Sequence, residues 1–276
     1  MRRAFMQVDV FTSEAYLGNP VAVVLDAEGL DTEAMQVFAR WTNLSETTFV
    51  LPPTQPGADY AVRIFTPVAE LPFAGHPTLG TCHAWLATGA GSPTGGRVVQ
   101  ECAAGLVTVR STPDGLAFAA PPLVRSGPVA PSDLTTVARE LGVKKSAIRD
   151  AQWVDNGPGW VAVELADAAA VLALTPRAIT MDIGVVGFHP EGADALYEVR
   201  AFFPKDGVAV EDPVTGSLNA SLAQWFIGTG RASAPYIATQ GTALGRRGRA
   251  AISQDGDGTI WVGGGTVTCV SGSVEL

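Results

Sequence analysis

Tyr60-Ala-Val-Arg63-Ile-Phe65-Thr-Pro67 recurs as Tyr197-Glu-Val-Arg200-Ala-Phe202-Phe-Pro204, with five of eight positions identical at an offset of 137. The match is not isolated. After one lost residue, His76-Pro77-Thr-Leu-Gly80-Thr81 aligns with Asp212-Pro213-Val-Thr-Gly216-Ser217 at an offset of 136. Upstream, Val21-Ala-Val-Val-Leu25 answers Val161-Ala-Val-Glu-Leu165 at 140, and downstream Asp114-Gly115 answers Asp257-Gly258 at 143. Four matches that keep their order predict two structurally similar halves. They meet near Pro121-Pro122 and the polar stretch up to Pro131, so the expected division is 1–122 and 131–276, with the last strand able to return to the first half.

Within each half the pattern reads strands, one helix, then strands, an α+β arrangement. Asp9–Thr12, Val21–Leu25, Thr47–Leu51 and Tyr60–Phe65 are rich in β-branched and aromatic residues between Gly, Pro or Asn, as strands are. A helix is expected from Pro77 to Leu86, closed by Gly89, and another from Pro213 to Ile227, closed by Gly228, each with Pro just inside its start. Asp31 is placed to cap Thr32–Trp41, with Leu30 and Met35 as a hydrophobic staple. Ser132 begins a further helix whose Leu134, Val137, Ala138 and Leu141 form one apolar stripe before Gly142.

Composition narrows the function classes. The 276 residues carry 18 basic and 27 acidic side chains, a net charge of −9, which argues against a nucleic-acid or anionic-membrane partner. The longest apolar run, Ala168–Leu174, spans seven residues, far short of the roughly 18 to 20 that cross a bilayer. Gln7 and Asp9 interrupt any signal-peptide core, and the expected location is the cytoplasm. Three widely spaced cysteines, Cys82, Cys102 and Cys269, form neither a disulfide framework nor a CxxC metal site.

The two repeats agree in backbone signals but differ in one polar side chain, His76 in one and Asp212 in the other, each directly before a Pro. A helix start favours anions through its unpaired N–H groups and the positive end of its dipole. If the halves face one another, both starts converge on a small acidic substrate. Glu46 is the third candidate, where a helix ends and a strand begins, with no basic residue between Trp41 and Arg63. Desolvation would raise the pKa of such an acid towards neutrality, the direction proton exchange needs. The second repeat has Ile183-Gly184-Val185-Val186 there, with no acid.

Other chemistries are removed by counting. His76, His83 and His189 are the only histidines, with no HExxH motif, so no metal site is expected. Lys144, Lys145 and Lys205 are the only lysines, a poor basis for a pyridoxal Schiff base. Neither a GxSxG elbow nor a GxxxxGK[ST] loop is present. Acid–base chemistry by carboxylates with a supporting His, without a cofactor, remains.

Gly18-Asn19-Pro20-Val21-Ala22-Val23, Asn43-Leu44-Ser45-Glu46-Thr47, Phe73-Ala74-Gly75-His76-Pro77-Thr78 and Glu211-Asp212-Pro213-Val214-Thr215-Gly216-Ser217 together resemble the PhzF family of phenazine-biosynthesis-like isomerases. Gln240-Gly241 extends the similarity towards the C-terminus. The resemblance implies a diaminopimelate-epimerase-like fold of two pseudo-symmetric halves, each a strand barrel around a central helix. It also implies a homodimer, no metal, and isomerisation of trans-2,3-dihydro-3-hydroxyanthranilate by movement of a proton between ring carbons. On this reading Glu46 is the proton-shuttling acid, His76 and Asp212 are its polar partners, and Gly75, Ser217, Gly216 and Asn19 contact the substrate. Epimerases of similar fold use a Cys pair at the helix starts, which Cys82, Cys102 and Cys269 do not occupy. Alternatives are a non-catalytic module binding small acids, and a carboxylate-based amino-acid epimerase.

Overall fold

A computed structural model of the chain describes residues 1–89 and 95–276. They form two units, Met1–Ala119 with Gly263–Leu276, and Ala120–Val262. Residues 263–276, with the last strand, belong with the first unit.

The first unit contains β1 (Arg2–Val10), β2 (Asn19–Val24), α1 (Thr32–Thr42), β3 (Glu46–Leu51), β4 (Tyr60–Phe65), β5 (Glu70–Leu71), α2 (Gly75–Ala87), β6 (Arg97–Cys102), β7 (Gly105–Thr112) and β8 (Gly115–Ala119). The second contains β9 (Arg125–Pro128), α3 (Pro131–Leu141), β10 (Asp150–Asp155), β11 (Val161–Glu164), α4 (Ala168–Leu172), β12 (Ile183–Phe188), β13 (Tyr197–Lys205), β14 (Val208–Asp212), α5 (Gly216–Gly228), β15 (Tyr236–Gln240) and β16 (Gly248–Gln254). The chain passes back through β17 (Ile260–Gly264), and β18 (Thr266–Glu275) then pairs antiparallel with β1 along its length.

The duplication is visible in the pairing. In the first unit β1–β2 is antiparallel, β2–β3 parallel, β3–β4 antiparallel and β4–β6 parallel. In the second, β10–β11, β11–β12, β12–β13 and β13–β15 follow the same sequence of directions. Each parallel pair needs a crossover: α1 lies in that of β2–β3 and α4 in that of β11–β12, while α2 and α5 lie in those of β4–β6 and β13–β15. A repeated ion pair marks the same correspondence. Arg63 is held bidentately by Glu70, both bonds at 2.7 Å, and Arg200 by Glu211 at 3.0 and 2.6 Å.

That ion pair also corrects the repeat alignment around the helices. Phe65 pairs with Glu70 in the β4–β5 hairpin, and Phe202 with Glu211 in the β13–β14 hairpin. The second hairpin is therefore (211 − 202) − (70 − 65) = 4 residues longer, and the offset grows from 137 to 141 instead of shrinking. Gly75 then matches Gly216, the first residues of α2 and α5 (216 − 75 = 141), and His76 matches Ser217. Asp212 corresponds to Leu71.

Consequently Pro77 is the third residue of α2, in the first turn where its missing N–H removes no helical bond. Pro213 precedes α5, which starts three residues later than its sequence signal indicated, with Thr215 as N-cap. The peripheral helices follow their signals closely. Asp31 caps α1 by accepting from the Ala34 N–H, and α3 ends on Gly142 at φ +71°, the left-handed position that glycine tolerates best.

In the first unit α2 packs against β1, β2, β3, β6, β7, β8 and β18, so strands surround it. Its residues Gly75–Cys82 and Ala84 are buried, among them the polar His76, Thr78 and Thr81. The face of α1 bearing Met35, Phe38 and Ala39 packs with Val24, Phe49 and Phe65. In the second unit α5 is buried along Leu218–Ala223, and Val137 and Leu141 of α3 join Val161, Val163, Ile183 and Val185 in one core. Among the described residues, no helix is long and apolar enough to cross a membrane.

Candidate active site

Four candidate residues come together in the first unit. Glu46 opens β3, beside Val21 of β2 in the parallel register, and its side chain is 15% exposed. His76, on the first turn of α2, is 6% exposed at its side chain and places Nε2 3.3 Å from Glu46 Oε2. Asn19, the fully buried first residue of β2, places Nδ2 3.4 Å from His76 Nδ1. Gly75 is the buried first residue of α2.

Burial pushes the His76 imidazolium down from 6.5 to about 3, against a smaller opposing effect of a hydrogen bond to the Pro20 backbone. At neutral pH the Glu46–His76 contact is therefore made by a neutral ring, not an ion pair. A neutral imidazole presents a donor at Nε2 in one tautomer and an acceptor in the other. It can bond Glu46 both as carboxylate and as carboxylic acid, whereas an imidazolium serves only the carboxylate.

The depressed His76 value has a consequence for stability. Between pH 6.5 and 3 the unfolded chain takes up a proton at His76 that the native chain does not, so this residue's contribution falls as pH falls. Asp182 opposes it. Burial, then the nearby Asp155, raises its carboxyl from 3.8 to about 6, so the native chain binds that proton first. The clean measurement is a difference: the urea-midpoint stability gap between wild type and His76→Gln is expected to move by about 2–3 kcal/mol against wild type from pH 7 to pH 4.5. A gap independent of pH would show that the ring is not buried neutral.

In the second unit Asp212 is the last residue of β14, opposite Ala201, and its Oδ2 accepts from the Thr215 hydroxyl at 2.5 Å. Gly216 and Ser217 open α5. Ser217 is fixed from two sides: Trp160 Nε1 donates to its hydroxyl at 3.0 Å, and Asn156 Nδ2 to its carbonyl at 2.9 Å. An indole N–H only donates, so the Ser217 oxygen is the acceptor and its own hydrogen is available to another group. Trp160→Phe keeps the ring bulk and removes the donor. It is expected to raise KM about 5- to 10-fold with kcat little changed, read from initial rates.

The first turns of α2 and α5 carry no side-chain cap, whereas Asp31 and Asp167 cap α1 and α4. The thiols are placed elsewhere. Cys82 is the eighth residue of α2, and burial pushes it up to about 12, which makes it a poor nucleophile or base at neutral pH. Among the described residues, no three of His, Cys, Asp and Glu cluster to hold a metal. An open groove of about 550 Å³ in the first unit, lined in part by Leu51, Arg63, Glu70 and Glu101, contains none of the candidate residues.

Sequence reading paired His76 with Asp212 but did not find the contact of Asn19 with His76, nor the side chains that hold Ser217 and Asp212. The first joins residues 57 apart, and no local spacing encodes it. A partial signal for another existed in Gln240, a polar residue at the end of an otherwise mostly apolar strand.

Two units that repeat the same order of strand directions, each with a largely buried helix, define the class, the fold shared by PhzF proteins and proline-racemase-like epimerases. A Bacillus anthracis phenazine biosynthesis protein of the PhzF family superposes at a TM-score of 0.86 over 100% of both chains at 22% identity. A hydroxyproline epimerase from Agrobacterium vitis reaches 0.60 at 12% identity over 99% of this chain and 92% of that one. The family model "Phenazine biosynthesis-like protein" matches residues 8–272, and the chain belongs to that family. Antisense-enhancing sequence 1 of Schizosaccharomyces pombe is 38% identical over 98% of this chain and 97% of its own. Trans-2,3-dihydro-3-hydroxyanthranilate isomerase of Pseudomonas aeruginosa is 40% identical over 79% of this chain and 78% of its own. The protein is an isomerase of the PhzF type.

Proposed function

We propose that the protein moves a proton between carbons of a small cyclic amino or hydroxy carboxylic acid, with Glu46 as the base that removes it and the acid that returns it. The observation that carries this reading is the Glu46–His76 contact: a mostly buried carboxyl 3.3 Å from a buried ring that burial keeps neutral. A neutral ring beside the carboxyl lets Glu46 take up and return a proton without making or breaking an ion pair. General acid–base assistance of this kind supplies about 10²- to 10⁴-fold. Positioning and electrostatic stabilisation account for the remainder.

The substrate's carboxylate has a natural place at helix starts, whose first-turn N–H groups and dipole favour an anion. Asn19 and Gly75 are the proposed substrate contacts beside Glu46 in the first unit, and Gly216, Ser217 and Asp212 are the proposed site residues that the second unit carries. The relatives named trans-2,3-dihydro-3-hydroxyanthranilate isomerase make that compound the first substrate to try. No step requires an organic cofactor, since the proton leaves and rejoins carbon through one carboxyl group.

The test is incubation of trans-2,3-dihydro-3-hydroxyanthranilate and related cyclohexadiene carboxylates in D2O. Deuterium at carbon with a change in ultraviolet absorbance supports the isomerase reading. Loss of optical rotation without an absorbance change would replace it by epimerisation. Binding without exchange in any member of the panel would replace it by a non-catalytic module.

A further inference from the structure

Gln240, the last residue of β15, is 1% exposed, and its side-chain carboxamide hydrogen-bonds to one segment of the chain. Its Oε1 accepts from the Thr215 backbone N–H and from Asn219 Nδ2, both at 2.9 Å. Its Nε2 donates to the Thr215 hydroxyl at 2.9 Å and to the Asp212 carbonyl at 3.1 Å. Two donors and two acceptors of one carboxamide are thus committed to residues 212–219. Gly241 follows in the left-handed region at φ +89°, where a Cβ would lie 2.7 Å from the Pro213 carbonyl oxygen. The backbone of β15 therefore runs close beside the turn that Gln240 holds.

We propose that Gln240 is a positioning residue for Asp212, acting through the Thr215 hydroxyl. The direction of the hydrogen bonds carries the inference. A threonine hydroxyl has one hydrogen and two lone pairs. Gln240 Nε2–H occupies a lone pair, so the hydroxyl hydrogen is directed onward, to Asp212 Oδ2 at 2.5 Å. A carboxamide is suited to this task where a carboxylate is not, because it donates to Thr215 Oγ1 and accepts from the Thr215 N–H at the same time. Gln240 also fixes the Asp212 main chain through its carbonyl. The carboxylate of Asp212 is thereby anchored at both its backbone and one side-chain oxygen, without Gln240 touching substrate.

This inference rests on the proposed role of Asp212, and its test separates the two. Thr215→Val keeps shape and removes the hydroxyl, Thr215→Ser keeps the hydroxyl, and Gln240→Glu removes both donated hydrogens. With trans-2,3-dihydro-3-hydroxyanthranilate as probe, Thr215→Val and Gln240→Glu are each expected to lower kcat about 10- to 100-fold with KM within threefold. Thr215→Ser should stay within threefold of wild type, and the Val/Glu double variant should be no worse than the poorer single one, as for groups acting in series. Crystal structures provide the readout that needs no substrate: in Thr215→Val the Asp212 carboxylate is expected to leave its wild-type rotamer while α5 stays in place. An unmoved Asp212 in Thr215→Val, or wild-type kcat in that variant when Asp212→Asn is inactive, overturns the positioning role alone. An active Asp212→Asn overturns the assignment of Asp212 itself, and the inference with it.

Discussion

Replacing Glu46 with Gln is expected to lower kcat about 10³-fold or more and to remove deuterium incorporation from D2O, while the protein stays folded. The substitution preserves volume. A Gln side chain has the same length and shape, so the 3.3 Å approach of residue 46 to His76 and the packing at the start of β3 survive. What is lost is the group that can take and return a proton, and no other acid takes its place in the second unit, where Ile183 stands beside Val161 as Glu46 does beside Val21. The loss falls within the range that general acid–base groups contribute. Mass spectrometry of the recovered substrate and a melting curve check both halves of the statement. Retained exchange in a folded variant would remove Glu46 from the chemistry.

Gly80→Ala is the second substitution with a large expected effect, and it acts from the core. An added Cβ would sit 2.3 Å from Val21 Cγ1 and 3.1 Å from Val10 Cγ2. Both valines are fully buried, and a β-branched side chain on a strand has little rotamer freedom with which to move aside. The helix must shift away from β2 instead. Overpacking of this kind costs about 1–3 kcal/mol, which at roughly 2–4 °C per kcal/mol lowers Tm by several degrees. Activity should fall as well, because His76 lies one turn before Gly80 on α2, and Asn19 and the neighbour of Glu46 lie on β2. Gly80→Ala with Val21→Ala is expected to recover part of both losses. Unchanged Tm and kcat in the single variant would show that α2 is free to move without consequence.

Much of this was legible in the sequence, and the parts that were not have physical reasons. Tyr60–Phe65 is the strand its residues indicated, and the paired Arg63 and Arg200 mark the same place in both units. Asp31 starts α1 and Gly142 ends α3 where capping chemistry places them. The alignment of His76 with Asp212 went astray because a hairpin extended by two residues on each strand leaves no mark in the hydrophobic pattern. Proline misled for a related reason: the same residue type serves in the first helical turn at Pro77 and in the extended approach to a helix at Pro213. Glu46 and His76 were identified separately by their surroundings, but their contact depends on α2 packing against β3, a tertiary fact. Gln240 entered only through the Gln240-Gly241 pair that extends the family resemblance, and nothing local shows that its carboxamide reaches back 25 residues to Thr215.

The pairing of β18 with β1 bears on how the nascent chain assembles. Nine residues of β1, from Arg2 to Val10, find partners on one side only in residues 266–275, which the ribosome adds after the whole second unit. At roughly 5–20 residues per second, the first strand waits many seconds for its neighbour. The second unit, Ala120–Val262, is fully synthesised before the first can close, which reverses the usual vectorial order in which amino-terminal parts fold first.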